Sequence, residues 1–255
     1  MNHAIVREIS ASIGNCEISF VSRDPIDIDL ARQQHAAYQR LLAELGCQLT
    51  VLPAEDAMPD AVFVEDVALV LDELAVMTRP GAASRRSEGA AVAAALREYR
   101  PRLAIEAPGT LDGGDILRIG KSIFVGQSAR SNAAAVGQLQ SLLAAHGYRV
   151  ESVPMRDCLH LKSAVTAVGD DALLINPQWV SPGAFAGFRM IDVDPTEPHA
   201  ANALRIGDAL IYPACFPRTQ ARLQAAGLNV RSVDVSELQK AEGAVTCCSL
   251  VFSAV

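Results

Sequence analysis

The sequence predicts one α/β domain over residues 1–255, a five-fold pseudosymmetric ring of ββαβ-type units around a central cleft. Three observations lead there. Strand-like apolar runs alternate with helical stretches along the chain, with no Pro/Gly/Ser-rich linker between them. Four segments, VALVLDELAVMTRP, DILRIGKSIFVGQS, SAVTAVGDDALLINP and NALRIGDALIYPA, each set a short polar turn between two apolar strands. The residues at the entrances to successive first strands, Asp66, Asp112, His160, Asn202 and Cys247, stand about 42 to 48 positions apart, a spacing expected of propeller-like repeats.

Taken in order, HAIVREI reads as the opening strand, and DIDLARQQHAAYQRLLAEL as a helix over 27–45 closed by Gly46. The first hairpin is followed by a helix near 85–99, and the second by one near 128–146, closed by Gly147. The stretch 178–200 after the third hairpin lacks a convincing helical pattern, so the repeat is imperfect there. A helix near 218–226, closed by Gly227, follows the fourth. The run CCSLVFSAV reads as a fifth first strand, placed to pair with HAIVREI and close the ring.

Composition narrows the function classes. Lys and Arg total 22 against 29 Asp and Glu, a net charge of −7, and no segment gathers basic residues into a stripe that follows a phosphate backbone. Nucleic acid is therefore not the expected partner. Carboxylates focused in a cleft suit a small cationic ligand instead. Apolar runs of a handful of residues fall far short of the roughly 20 needed to cross a bilayer, so no membrane association is expected. The stretch MNHAIVREIS lacks a signal-peptide layout, and the six cysteines show no CxxC pair or His-spaced zinc pattern. The expectation is a cytoplasmic protein with free thiols.

If equivalent entrances face one axis, a thiol, an imidazole and carboxylates converge there. Free Cys has a pKa of about 8.5 and needs a neighbour to hold it ionised or take its proton. His160 is the candidate for that task, and Asp112 in GTLDGGDI can accept its ring N–H while the paired glycines admit close backbone. Buried Cys is common in cores. Neighbouring residues in a strand point to opposite faces, which assigns Cys247 to the cleft and Cys248 to the core. Asp60, Glu65 and Asp66 in MPDAVFVEDVAL crowd three carboxylates into an apolar setting that calls for a cationic partner. Arg85 in GAASRRSE and Arg130 in QSARSNAA can grip a carboxylate in bidentate fashion, or stand exposed at helix starts. A ligand with guanidinium at one end and carboxylate at the other answers both groups.

Together VFVEDVALV, TRPGAASRR, APGTLDGGDI, LHLKS, AAN at 200–202 and AVTCCSL resemble the dimethylarginine dimethylaminohydrolases of the guanidine-modifying pentein superfamily. The resemblance runs from IVREI to CCSL and implies a five-fold pseudosymmetric α/β propeller. It places the nucleophile on Cys247, the histidine on His160 and its orienting acid on Asp112. Substrate-binding carboxylates fall on Asp60, Glu65 and Asp66, and carboxylate-binding arginines on Arg85 and Arg130. ASIGNCEIS corresponds to a lid closing through Ile18, and Glu242 stands where a shorter Asp is expected near the substrate's amino group. The implied reaction converts methylated arginine to citrulline through a covalent thiouronium, with no cofactor and no metal, in a monomer or homodimer. The alternatives are an arginine deiminase or other amidino-group hydrolase, or a non-catalytic binding module on the same fold. Deiminases of the superfamily usually carry a helical insertion that would lengthen the chain.

Overall fold

A computed structural model describes residues 1–253; Ala254 and Val255, the end of the last expected strand, lie outside the described residues. Fifteen strands form five three-stranded sheets. In the first unit, β3 (Ala68–Val70) runs antiparallel to β4 (Ala75–Met77), which pairs in parallel with β5 (Arg102–Ala104) across helix α2 (Gly89–Leu96). The second unit repeats this with β6 (Ile116–Ile119), β7 (Ser122–Gln127), α3 (Ala133–Leu143) and β8 (Arg149–Pro154). The third uses β9 (Val165–Ala167), β10 (Ala172–Ile175) and β11 (Arg189–Asp192), with a short 3-10 turn, Pro182–Phe185, in place of the crossover helix. That is the stretch where the sequence shows no helical period. The fourth uses β12 (Leu204–Ile206), β13 (Ala209–Pro213), α5 (Pro217–Ala225) and β14 (Asn229–Val233).

The fifth unit joins the two ends of the chain. β15 (Leu250–Ser253) pairs antiparallel with β1 (Asn2–Arg7), and β1 pairs in parallel with β2 (Cys47–Leu52) across α1 (Ile28–Glu44). All five sheets thus share one strand plan, with a crossover helix in four of them, and form the expected pentein ring. The middle strands are largely buried and read as apolar runs, as in SIFVG and ALIYP, where the unit's own helix covers one side and neighbouring units the other. Among the described residues no helix is long and apolar enough to cross a membrane.

Each first strand is entered through a short turn, and those turns carry the polar residues. Asp66 lies in the 3-10 turn Val64–Val67 and Asp112 caps the turn Gly113–Asp115. His160 caps α4 (Leu161–Ala164), and Cys247 sits in the turn before β15.

Candidate active site

The structure brings Cys247, His160, Asp66, Asp60, Arg85, Arg130 and Glu242 to one tight cleft of about 20 Å3, with Phe63 and Leu159 also lining it. Its floor is made by the imidazole. His160 is 5% exposed and Asp112 fully buried, with His160 Nε2 3.1 Å from Asp112 Oδ2. Asp112 is held in turn by the N–H of Gly81, which donates to its Oδ1 at 2.8 Å. On the other side, His160 Nδ1 lies 4.0 Å from Asp66 Oδ1. The two glycines of LDGGD are required by this closeness. A Cβ on Gly113 would sit 1.9 Å from the Glu65 carbonyl oxygen, and one on Gly114 would sit 2.4 Å from His160 Nδ1. Gly114 also donates its N–H to Asp66 Oδ1 at 2.9 Å.

Electrostatics follow from that packing. Burial opposes charge on His160, but Asp66, the bond to Asp112 and Asp115 outweigh it and raise the imidazole to about 9. Asp66 is likewise disfavoured as an anion by burial, yet His160, Arg85 and the Gly114 N–H hold it down at about 2. Burial, then the charges of Glu65 and Asp66, push the Cys247 thiol up to about 12. The resting site therefore pairs a neutral thiol with an imidazolium.

The thiol's turn is pinned from three units. Tyr38 of α1 donates to the Val245 carbonyl at 2.7 Å and meets Ser249 Oγ at 2.6 Å. Asn202 Oδ1 accepts from Thr246 N at 3.1 Å, and Glu65 N donates to the Cys247 carbonyl at 3.2 Å. Cys247 and Cys248 are not in a strand, contrary to the sequence expectation. The chain is still turning at Val245–Cys248 and strand pairing begins at Leu250. The two thiols nevertheless diverge as expected: Cys247 lines the cleft, while Cys248 is 1% exposed in the core and donates to the Ala244 carbonyl at 3.4 Å.

Other expected positions behave differently. Glu65 does not line the cleft. Its carboxylate turns to Lys162 Nζ at 2.5 Å and Thr246 Oγ1 at 2.8 Å. Arg85 faces the cleft but opens no long helix. It ends the 3-10 turn Ala83–Arg85, pairs with Asp66 Oδ2 at 2.7 Å and Glu88 Oε2 at 2.9 Å, and is 4% exposed. Arg130 lies just before the Asn132 cap of α3, with Nη1 3.8 Å from Asp112 Oδ2 and Nη2 3.3 Å from Ser19 Oγ. Ile18 packs at the edge of the core cluster that also takes Cys247. Asp60 accepts the Glu17 N–H with both oxygens, and Glu242 accepts from the backbone of Ser19, Phe20 and Val21.

Sequence reading missed Asp115, Lys162 and Thr246. Asp115 is fully buried and accepts from Leu161 N at 3.0 Å and Ser131 Oγ at 2.6 Å, fixing the turn that carries His160. Its place in DGGD, three residues after Asp112, is the signal that was there to be read. Asp66, Asp112 and His160 bring three donor atoms within 4.8 Å of one another, a metal-like grouping. Arg85 and Arg130 already supply the positive charge there.

The fold and these groups define the class first: the arginine deiminase family model matches residues 55–212. A dimethylarginine dimethylaminohydrolase of Streptomyces coelicolor is 40% identical over 250 residues, covering 97% of this chain and 95% of its own. One from Pseudomonas aeruginosa is 37% identical over 228 residues, covering 89% and 90%. The solved structure of a Pseudomonas aeruginosa cysteine-to-serine variant complexed with citrulline superposes with a TM-score of 0.94 at 35% identity, over 98% of both chains. This chain belongs to the dimethylarginine dimethylaminohydrolase family.

Proposed function

We propose that the protein, acting as one catalytic domain, hydrolyses Nω-methylated arginines to citrulline and dimethylamine or methylamine, with Cys247 as covalent nucleophile. The observation that carries this reading is the Cys247 thiol sharing a cleft with Asp66 and with a His160 backed by Asp112. Citrulline bound to a structure 35% identical supports the product. Six free cysteines support a reducing, cytoplasmic setting.

Asp66, ionised far below neutral pH, holds the guanidinium planar and cationic. That positive charge offsets the carboxylates around the thiol and lowers its pKa, and the proton leaves to solvent. The thiolate attacks the central carbon, forming a C–S bond and a tetrahedral intermediate. His160, already an imidazolium, gives its proton to the methylated nitrogen, and the C–N bond breaks to release the amine. Neutral His160 then takes a proton from water as its oxygen attacks the thiouronium carbon. The C–S bond breaks, Cys247 is regenerated and citrulline remains. Arg130 stands toward the α-carboxylate, Arg85 holds Asp66 in place through their ion pair, Asp60 stands toward the α-amino group, and Ile18 closes with the lid.

The test is incubation with arginine, monomethylarginine and asymmetric dimethylarginine, measuring citrulline and released amine. Faster turnover of the methylated substrates is expected. Preference for arginine would move the reading to a deiminase, and no citrulline from any substrate would move it to a binding module.

A further inference from the structure

We infer that Glu242 is a positioning residue that latches the lid, residues 11–19, together with the two residues that follow it, over the cleft, rather than a ligand for the substrate's amino group. The inference rests on the proposed reading of the cleft but is carried by contacts of its own. Glu242 Oε2 accepts the Ser19 N–H at 3.0 Å, and Oε1 accepts the N–H groups of Phe20 and, at 3.0 Å, Val21. Three consecutive backbone donors converging on one carboxylate make a concave anion site. Three of the roughly four acceptor positions of the carboxylate are thus taken by these amides, leaving Oε2 one for any other donor.

The other lid contacts are single ties. Asp60 takes the Glu17 N–H, Ser84 Oγ donates to Glu17 Oε1, Asp56 takes the Ala11 N–H at 3.0 Å, Arg130 Nη2 reaches Ser19 Oγ at 3.3 Å, and Arg23 binds the carbonyls of Gly14 and Cys16. Glu242 alone ties three successive residues, the last of the lid and the two after it, to the connection that leads into Cys247. Its backbone carries the signature of that duty: φ is +59°, in the left-handed region that a side chain with a Cβ occupies at a cost. The turn that aims this carboxylate at the lid is thus kept against its local preference. The side chain is also one methylene longer than an aspartate, and reaches amides on a segment more than 200 residues away in sequence.

Glu242→Gly removes the carboxylate and inserts the residue best suited to positive φ, so the fold is expected to hold. Two readouts do not depend on turnover: hydrogen exchange at the amides of 19–21, and alkylation of Cys247 by iodoacetamide. Both are expected to speed up by about tenfold or more at unchanged Tm, since charge-assisted bonds to three amides are lost. Glu242→Gln, which keeps one acceptor oxygen, should fall between. KM for methylarginine should rise more than kcat falls, equally for a substrate lacking the α-amino group. Unchanged exchange at 19–21 overturns the latch. So does a KM penalty confined to substrates that carry the amine, for Glu242 would then be their ligand. If the unaltered protein turns over no methylarginine, the functional reading fails while exchange and alkylation still decide the latch.

Discussion

The backbone N–H of Glu65 donates to the carbonyl of Cys247 at 3.2 Å, while the Glu65 carboxylate turns away to Lys162 and Thr246. One residue thereby links the first unit to the turn bearing the thiol and to the helix bearing His160. Glu65→Gln is expected to lower stability by about 1–3 kcal/mol, because Lys162 loses its partner and a charged bond becomes neutral. KM for methylarginine should change little. Chemical denaturation alongside kinetics checks this, and a large rise in KM at unchanged stability would return Glu65 to the substrate.

Only one of the paired thiols should be essential. Cys247→Ser is expected to reduce citrulline formation by several orders of magnitude, and Cys248→Ser to leave most of it, at a stability cost of about 1 kcal/mol for the polar replacement in the core. The reverse ranking in folded protein would sink the assignment.

The state of the thiol is open to titration. With Cys247 pushed up to about 12 and surrounded by Glu65 and Asp66, iodoacetamide should react ever faster as pH rises through the alkaline range, with no plateau near neutrality. An unreactive guanidinium ligand that leaves the sulfur accessible should shift that profile downward. A free enzyme that alkylates with an apparent pKa below 7 would contradict this account.

His160 also gives stability a pH dependence. Its folded pKa of about 9 lies above the ordinary histidine value, so its contribution is complete below about pH 6.5 and fades as pH rises through about 9. The stability gap between the protein and His160→Gln, which carries no charge, should therefore be widest below pH 6.5, of order 1–3 kcal/mol, and narrow toward pH 9. Denaturant midpoints across pH measure it; a gap that widens with pH would reverse the sign.

The two arginines are expected to part company. Arg130→Ala should raise KM for amino-acid substrates by about 1.5–3 kcal/mol in apparent binding while sparing simple alkylguanidines. Arg85→Ala leaves Asp66 and Glu88 buried without their cation and should cost about 3–5 kcal/mol of stability. Thermal melts of both variants beside their KM values test the contrast.

Much of this ring could be read in the chain because its hairpins are local: GKS and GDA turns between apolar strands fix their own partners. The entrance residues were legible for the same reason, being counted from those hairpins. What could not be read depends on partners far away. Glu65 and Asp66 are adjacent and chemically alike, and only Lys162 and Thr246 on one side and Arg85 and His160 on the other decide which faces substrate. AVTCCSLV reads as strand because a buried turn is as apolar as a buried strand. The Arg85–Glu88 pair was visible in SRRSE as an i,i+3 spacing, but its burial was not.

Because β15 pairs with β1, the sheet that holds β1 is finished only by residues 250–253, and Cys247 stands just three positions ahead of them. A nascent chain that has emerged as far as residue 246 can already possess His160, Asp112 and Asp66, yet it has no thiol to aim and leaves β1 with one open edge. Completion of this sheet and delivery of the sulfur to the cleft thus depend on the same short segment, residues 247–253.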